Sequence, residues 1–140
     1  MKAERVVIDT NVLIAALISP AGTSRRAFDA VLDREIDVLL SEAVFDELVS
    51  RLEKPKFDRY RDAEMWDRFL SELVELATWY ADTGDAAGVS RDADDDKFLA
   101  LAVVGRADAV ISGDHDLLDL GSYEGIPILA PTQFLQGLDG

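Results

Sequence analysis

Apolar and polar positions alternate at two periods along the chain, and the alternation lays out its elements. Arg5–Ile8 is a short run rich in β-branched residues, the composition of a buried strand. Apolar residues resume at helical spacing over Asn11–Ile18 and again over Ser24–Asp33, with the turn sequence "SPAG" between them. Asp37–Leu40 reads as a second strand. Ser41 stands where an N-cap belongs, ahead of a helix through Leu52 whose Val44, Phe45, Leu48, Val49 and Leu52 share one face. Ala63–Leu76 is a further amphipathic helix carrying Trp66, Phe69, Leu70 and Leu73. Ala77–Ala81 predicts a weak strand, and Asp94–Val104 a helix that Gly105 suits as a terminus. Ala109–Ser112 and Ile126–Leu129 are two more short strands, and "APTQFLQGL" closes the chain with a helical turn or two. Trp66, Trp79 and Tyr80 are expected in the core.

Short buried strands alternating with helices make a parallel sheet covered on both faces. The expected class is α/β, a three-layer α/β/α sandwich around a parallel sheet of about five strands. No repeat, low-complexity tract or linker interrupts the 140 residues, so residues 1–140 are expected to form one domain. No apolar run approaches the ~20 residues that cross a bilayer. "MKAERVVID" has no signal-peptide apolar stretch, so the expected location is the cytoplasm, away from membranes.

In such sheets ligands bind beyond the carboxyl ends of the strands, where the strand order switches. Asp9 follows "VVI" and Asp114 follows "AVISG", so both carboxylates fall at strand ends and converge if those strands are neighbours. Each also has an ordinary reading as the cap of the next helix. Arg91–Lys97 reads "RDADDDK" and crowds four aspartates into one turn. One or two suit a helix N-terminus, but four repel one another unless a cation intervenes. Glu47 lies at the margin of its helix's apolar face, four residues before Arg51, where an i,i+4 ion pair is the plain expectation. Asp116 follows in "SGDHD", and His115 reads as an exposed turn residue rather than a general base.

The chain has no cysteine and one histidine, so any metal here is held by oxygen, which favours Mg²⁺ or Mn²⁺ over zinc. The formal net charge is -14, which by itself argues against nucleic acid. Its distribution changes that picture: Arg51, Lys54, Lys56, Arg59 and Arg61 stand together against only Glu53 and Asp58.

The succession "VVIDTNVLIAAL", "SEAVFDEL" and "RDADDDKFLALAVVGRADAVISGDHDLL" resembles the PIN-domain nucleases, in particular the toxin branch allied to VapC-type toxins of toxin–antitoxin pairs. The resemblance runs from Val6 to about Leu138. It implies a metal-dependent endoribonuclease with an acidic pocket holding one or two Mg²⁺ or Mn²⁺ ions. Position by position, it places the family's acids on Asp9, Glu47, Asp96 and Asp114, with Asp95 the rival to Asp96 and Asp116 a fifth. Asp9 is then the central ligand, Asp96 and Asp114 direct or water-mediated ligands, and Glu47 a ligand or water-orienting base. Thr10, Asn11 and Ser112 support them, the last two by hydrogen bonds. The expected partners are an RNA substrate, met by the basic window from Arg51 to Arg61, an antitoxin protein and a second copy of the chain. Three other readings compete. A Mg²⁺-dependent phosphatase would want a second carboxylate where Asn11 stands. A nucleotide-binding Rossmann domain would want a glycine-rich turn after "VVID". A degenerate module that only binds a partner or RNA would not keep all four acids.

Overall fold

The computed structural model describes residues 1–81 and 96–139. Five parallel strands form the sheet: β1 (Arg5–Ile8), β2 (Asp37–Ser41), β3 (Ala77–Tyr80), β4 (Ala109–Ile111) and β6 (Ile126–Leu129). The two-residue strand β5 (Ser122–Tyr123) adds an antiparallel edge to β6, for a six-stranded order β3-β2-β1-β4-β6-β5. The chain winds outward from β1 through β2 to β3, then restarts on the other side at β4. The switch in strand order therefore falls between β1 and β4, which pair in parallel with Ile8 opposite Ile111.

Helices α1 (Thr10–Ile18), α2 (Thr23–Asp33), α3 (Glu42–Leu52), α4 (Ala63–Leu76), α5 (from Asp96 to Val104), α6 (His115–Leu120) and α7 (Pro131–Asp139) lie on both sides of this sheet. Local chemistry sets their starts. Ser41 Oγ accepts from Val44 N at 3.3 Å, as expected of the N-cap of α3, and Asp62 Oδ1 accepts from Met65 N at 3.1 Å to start α4. The central strands β1, β2 and β4 are buried on both faces, which is why they read as unbroken apolar runs. Against them pack Leu13 and Leu17 of α1, Leu48 of α3, Leu73 of α4, Leu99 of α5 and Phe134 of α7, all at most 1% exposed.

Sequence and structure part at the edge of the sheet. Trp79 is not core: it is 43% exposed on the edge strand β3, edge-on to Phe45 with ring centroids 5.7 Å apart. An edge strand has one unpaired side, which the alternation of apolar residues does not reveal. Beyond α3, Pro55 opens a 3₁₀ segment over Pro55–Tyr60, where its missing N–H is no loss. Asp94 and Asp95, expected at the start of α5, lie outside the described residues.

Gly105 ends α5 with no room for a side chain. A Cβ there would collide with Leu39 Cδ1 and come within 3.2 Å of Tyr80 Cε2 and 3.3 Å of the Leu101 carbonyl. Leu39 is buried in β2 and cannot swing out. Gly105→Ala is expected to destabilise the fold by about 1–3 kcal/mol through overpacking. Chemical denaturation reads this directly, and an unchanged midpoint would show that β2 and α5 separate freely.

Candidate metal and phosphodiester site

Asp9 terminates β1 at the switch point. Its backbone N–H donates to the Ile111 carbonyl at 2.9 Å, continuing the β1–β4 ladder by one residue. Its side chain then turns into the N-terminus of α1, where Oδ1 accepts from Val12 N at 2.9 Å. Oδ2 accepts from the hydroxyl of Ser112, the residue just past β4. The capping role and the site role thus fall on one carboxylate, one oxygen each.

Asp9 is only 3% exposed. Burial pushes its pKa above the usual carboxylate range, and the nearby charge of Asp114 pushes the same way. Hydrogen bonds from Ser112, Val12 and Gly113 pull it back in part. Asp114 sits on the next strand end and caps α6, its Oδ1 accepting from Asp116 N at 2.7 Å. Its own N–H donates to Ser112 Oγ at 3.0 Å, so one serine ties both acids together. The convergence expected of the ends of β1 and β4 is therefore real. Ser112→Ala would loosen both carboxylates at once and, were an ion held between them, is expected to lower its affinity about 10–100-fold, the usual effect of removing an orienting partner. Mn²⁺ titration by calorimetry measures it, and parental affinity would show that the acids orient themselves.

Asp96 opens the described part of α5 and is 7% exposed. The side chain of Lys97, one residue on, reaches α3: Nζ donates to Glu47 Oε1 at 2.8 Å. Arg51 donates to the same oxygen at 3.1 Å through Nη2, so the anticipated i,i+4 pair is present. Arg51 Nη1 also donates to Asn11 Oδ1 at 2.7 Å, and Thr10 Oγ1 donates to Glu47 Oε2. Burial opposes charge on Glu47, but hydrogen bonds from Lys97 and Thr10 and the charges of Lys97 and Arg51 outweigh it and hold the pKa low.

These contacts link Thr10, Asn11, Glu47, Arg51 and Lys97 through α1, α3 and α5. Asp116 lies beside them in the first turn of α6, while Asp95 lies outside the described residues. His115 is exposed, as expected, but it opens α6 rather than lying in a turn. Lys97 escaped notice because it stands at the end of a run of aspartates and reads as their counter-charge. Within the basic window, Lys54, Lys56, Arg59 and Arg61 are exposed, while Arg51 points back into the network. Arg61 donates to the Leu52 carbonyl at 3.1 Å and to Asp58 at 3.2 Å.

The donors available are carboxylate and hydroxyl oxygens, and among the described residues the buried Asp9 has no cation as a hydrogen-bond partner. That suits a hard divalent cation and not zinc. Among the described residues no three His, Cys, Asp or Glu side chains close into a ready-made cage. The arrangement is an open one, seated on the rigid ends of β1 and β4.

An α/β domain with carboxylates gathered at the strand ends of its strand-order switch defines the class. A family model described as PIN domain matches residues 5–116. Uncharacterized protein MJ1680 of Methanocaldococcus jannaschii is 33% identical over 118 residues, covering 83% of this chain and 74% of that protein. The chain belongs to the PIN domain family.

Solved structures share the fold at low identity. VapBC2 from Rickettsia felis, bound to a DNA fragment from its promoter, matches with TM-score 0.62 at 12% identity, over 89% of this chain and 96% of that one. PAE2754 from Pyrobaculum aerophilum matches with TM-score 0.60 at 14% identity, over 97% and 90%. VapC20 from Mycobacterium tuberculosis, a sarcin-ricin loop cleaving toxin, matches with TM-score 0.57 at 14% identity, over 85% and 97%. No helix among the described residues is long and apolar enough to cross a membrane.

Proposed function

We propose that this protein is a Mg²⁺- or Mn²⁺-dependent endoribonuclease, the toxin of a toxin–antitoxin pair, acting as a single domain in the cytoplasm. The observation that carries this reading is the junction of Asp9, Ser112 and Asp114 at the ends of two neighbouring strands, with Asp9 buried and hydrogen-bonded to no cation among the described residues. Family membership supports it, as do two fold neighbours, one containing VapBC2 and the other a cleaving toxin.

Asp9, Asp96 and Asp114 would hold the ion, with Asp116 at the rim. A bound divalent cation supplies phosphate neutralisation, a lowered pKa for water and stabilisation of the leaving oxygen. The protein's own part is positional. Ser112 fixes the Asp9 and Asp114 carboxylates, and the α1 cap fixes the Asp9 oxygen that faces Val12. The basic window from Lys54 to Arg61 extends from the end of α3 and offers the cations that an RNA strand needs on so acidic a chain. An antitoxin and a second copy of the chain are the protein partners this reading includes.

Mn²⁺ alone should raise the thermal midpoint, since an ion binding only the folded form stabilises by about 2.7 kcal/mol at a hundredfold excess over its Kd. Single-stranded RNA should be cut with Mn²⁺ and left whole with a chelator. Cleavage that persists in the chelator would end the metal-dependent reading.

A further inference from the structure

Among the described residues one buried side-chain polar atom has no hydrogen-bond partner: the indole Nε1–H of Trp66 in α4, a residue only 6% exposed. Such a donor is costly to leave unmade, and its orphan state asks for an acceptor. Trp66 also lines a cavity of about 220 Å³ between the C-terminal end of α3 and the N-terminal half of α4. Val49, Leu52 and Leu70 complete the apolar lining, and the exposed Glu53, Arg61 and Asp67 edge it. Its volume is below the ~300 Å³ at which sites for drug-sized ligands begin, which suits a single ring system.

We propose that this cavity is a base-reading subsite that takes one guanine of a single-stranded RNA. The proposal rests on the nuclease reading for the polymer and adds which base it holds. Guanine presents on its Watson–Crick edge one acceptor, O6, beside two donors, N1–H and the N2 amino group. Trp66 Nε1–H and the Arg61 guanidinium, which lies 5.3 Å over the Trp66 ring, are the donors for O6. Both side-chain hydrogen bonds of Arg61 leave from Nη2, so Nε and Nη1 keep donors to offer. The Glu53 and Asp67 carboxylates make no ion pair among the described residues and accept the two N–H groups. Adenine reverses this edge, setting an amino donor against Trp66 and a lone pair against the carboxylates. Uracil turns a second oxygen toward the acids.

The segment that leads into the cavity argues for nucleic acid as the occupant. Cations and rings interleave along it: Lys56 Nζ lies 5.1 Å over the Phe57 ring and the Arg59 guanidinium 4.8 Å over Tyr60. Rings and cations along one path are the chemistry of single-strand binding. From Glu53 to Asp67 four cations stand against five acids, close to neutral on a chain of net charge -14. A strand is therefore repelled less here than over the chain as a whole. Glu47 precedes Glu53 on α3 by roughly 9 Å of helix, so a base held here lies a short run of nucleotides from that acid.

The test is anisotropy binding, in chelator so that the RNA stays whole, of labelled uridine heptamers carrying one central guanosine, inosine, adenosine or uridine. The parent should bind the guanosine strand about tenfold more tightly than the adenosine or uridine strand, the discrimination of one good bidentate base contact. Inosine, which lacks the N2 amino group, should fall between. Trp66→Phe keeps a ring, removes the N–H and should shrink the preference, with a melting curve to show that it folds. Glu53→Gln combined with Asp67→Asn alters only exposed side chains. It should erase the preference while uridine binding stays the same or tightens, which a merely structural pair of acids would not do. A parent that binds the strands alike, or binds none, overturns the proposal, and so does a double variant that keeps the parental preference. Cleavage with Mn²⁺ scores the nuclease reading separately: a parent that prefers guanosine yet cuts nothing keeps the base subsite and loses the nuclease.

Discussion

Asp9→Asn is expected to abolish stabilisation by Mn²⁺ and to reduce RNA cleavage at least ~100-fold, while leaving the fold intact. The substitution keeps the shape of the side chain. An asparagine oxygen can still accept from Val12 N and start α1, and the Ser112 hydroxyl can rotate to accept from the new amide. What disappears is one buried negative charge, held at a cost because burial and Asp114 both oppose it. Without metal, the variant should therefore be as stable as the parent or more so. With Mn²⁺, the parent should gain stability and the variant should not. Melting curves with and without the ion separate these effects from misfolding. A variant that responds to Mn²⁺ as the parent does would remove Asp9 from the ion's ligands.

The second large effect is expected from the exposed cations beyond α3. Lys54 caps a 3₁₀ segment that carries Lys56 and Arg59, all three are exposed, and the Arg59 guanidinium lies 4.8 Å over the Tyr60 ring, itself 40% exposed. Lys54 and Lys56 make no ion pair among the described residues, so replacing them leaves no buried partner stranded. If these three residues line the RNA path, their joint replacement by alanine should flatten the salt dependence of RNA binding by about two units of slope, at roughly 0.7 for each contact. Mn²⁺ affinity should not fall, because the change lies outside the acid pocket. A triple variant with the parent's slope would send the RNA elsewhere on the surface, and Arg25 and Arg26 on α2 would be the next cations to replace. Arg25 is already paired with Asp29 at 3.1 Å, which makes it the less available of the two.

The central strands β1, β2 and β4 were legible because a strand buried on both faces cannot hide its composition. Val6 to Ile8 and Val38 to Leu40 are apolar without a break, and both lie in the middle of the sheet. Helix α3 was legible because Ser41 and its periodic apolar face agree. The antiparallel β5 was not, since two residues carry no period. Trp79 misled for a related reason: the same aromatic suits a core strand or an edge, and only the sheet order tells which.

The site divides along the same line. That Asp9 and Asp114 end strands was written in the local sequence, and so was the oxygen-only chemistry of a chain with no cysteine and one histidine. The i,i+4 pairing of Glu47 with Arg51 was local too, because one turn of helix fixes it. The tertiary structure alone decided that β1 and β4 are neighbours, since strand order depends on where the crossovers run. It alone brought Lys97 to Glu47 across 50 residues of chain. Helical periodicity reports which face a residue lies on. It does not report which element that face meets, and the charge that Glu47 finds there comes from helix α5, packed against α3.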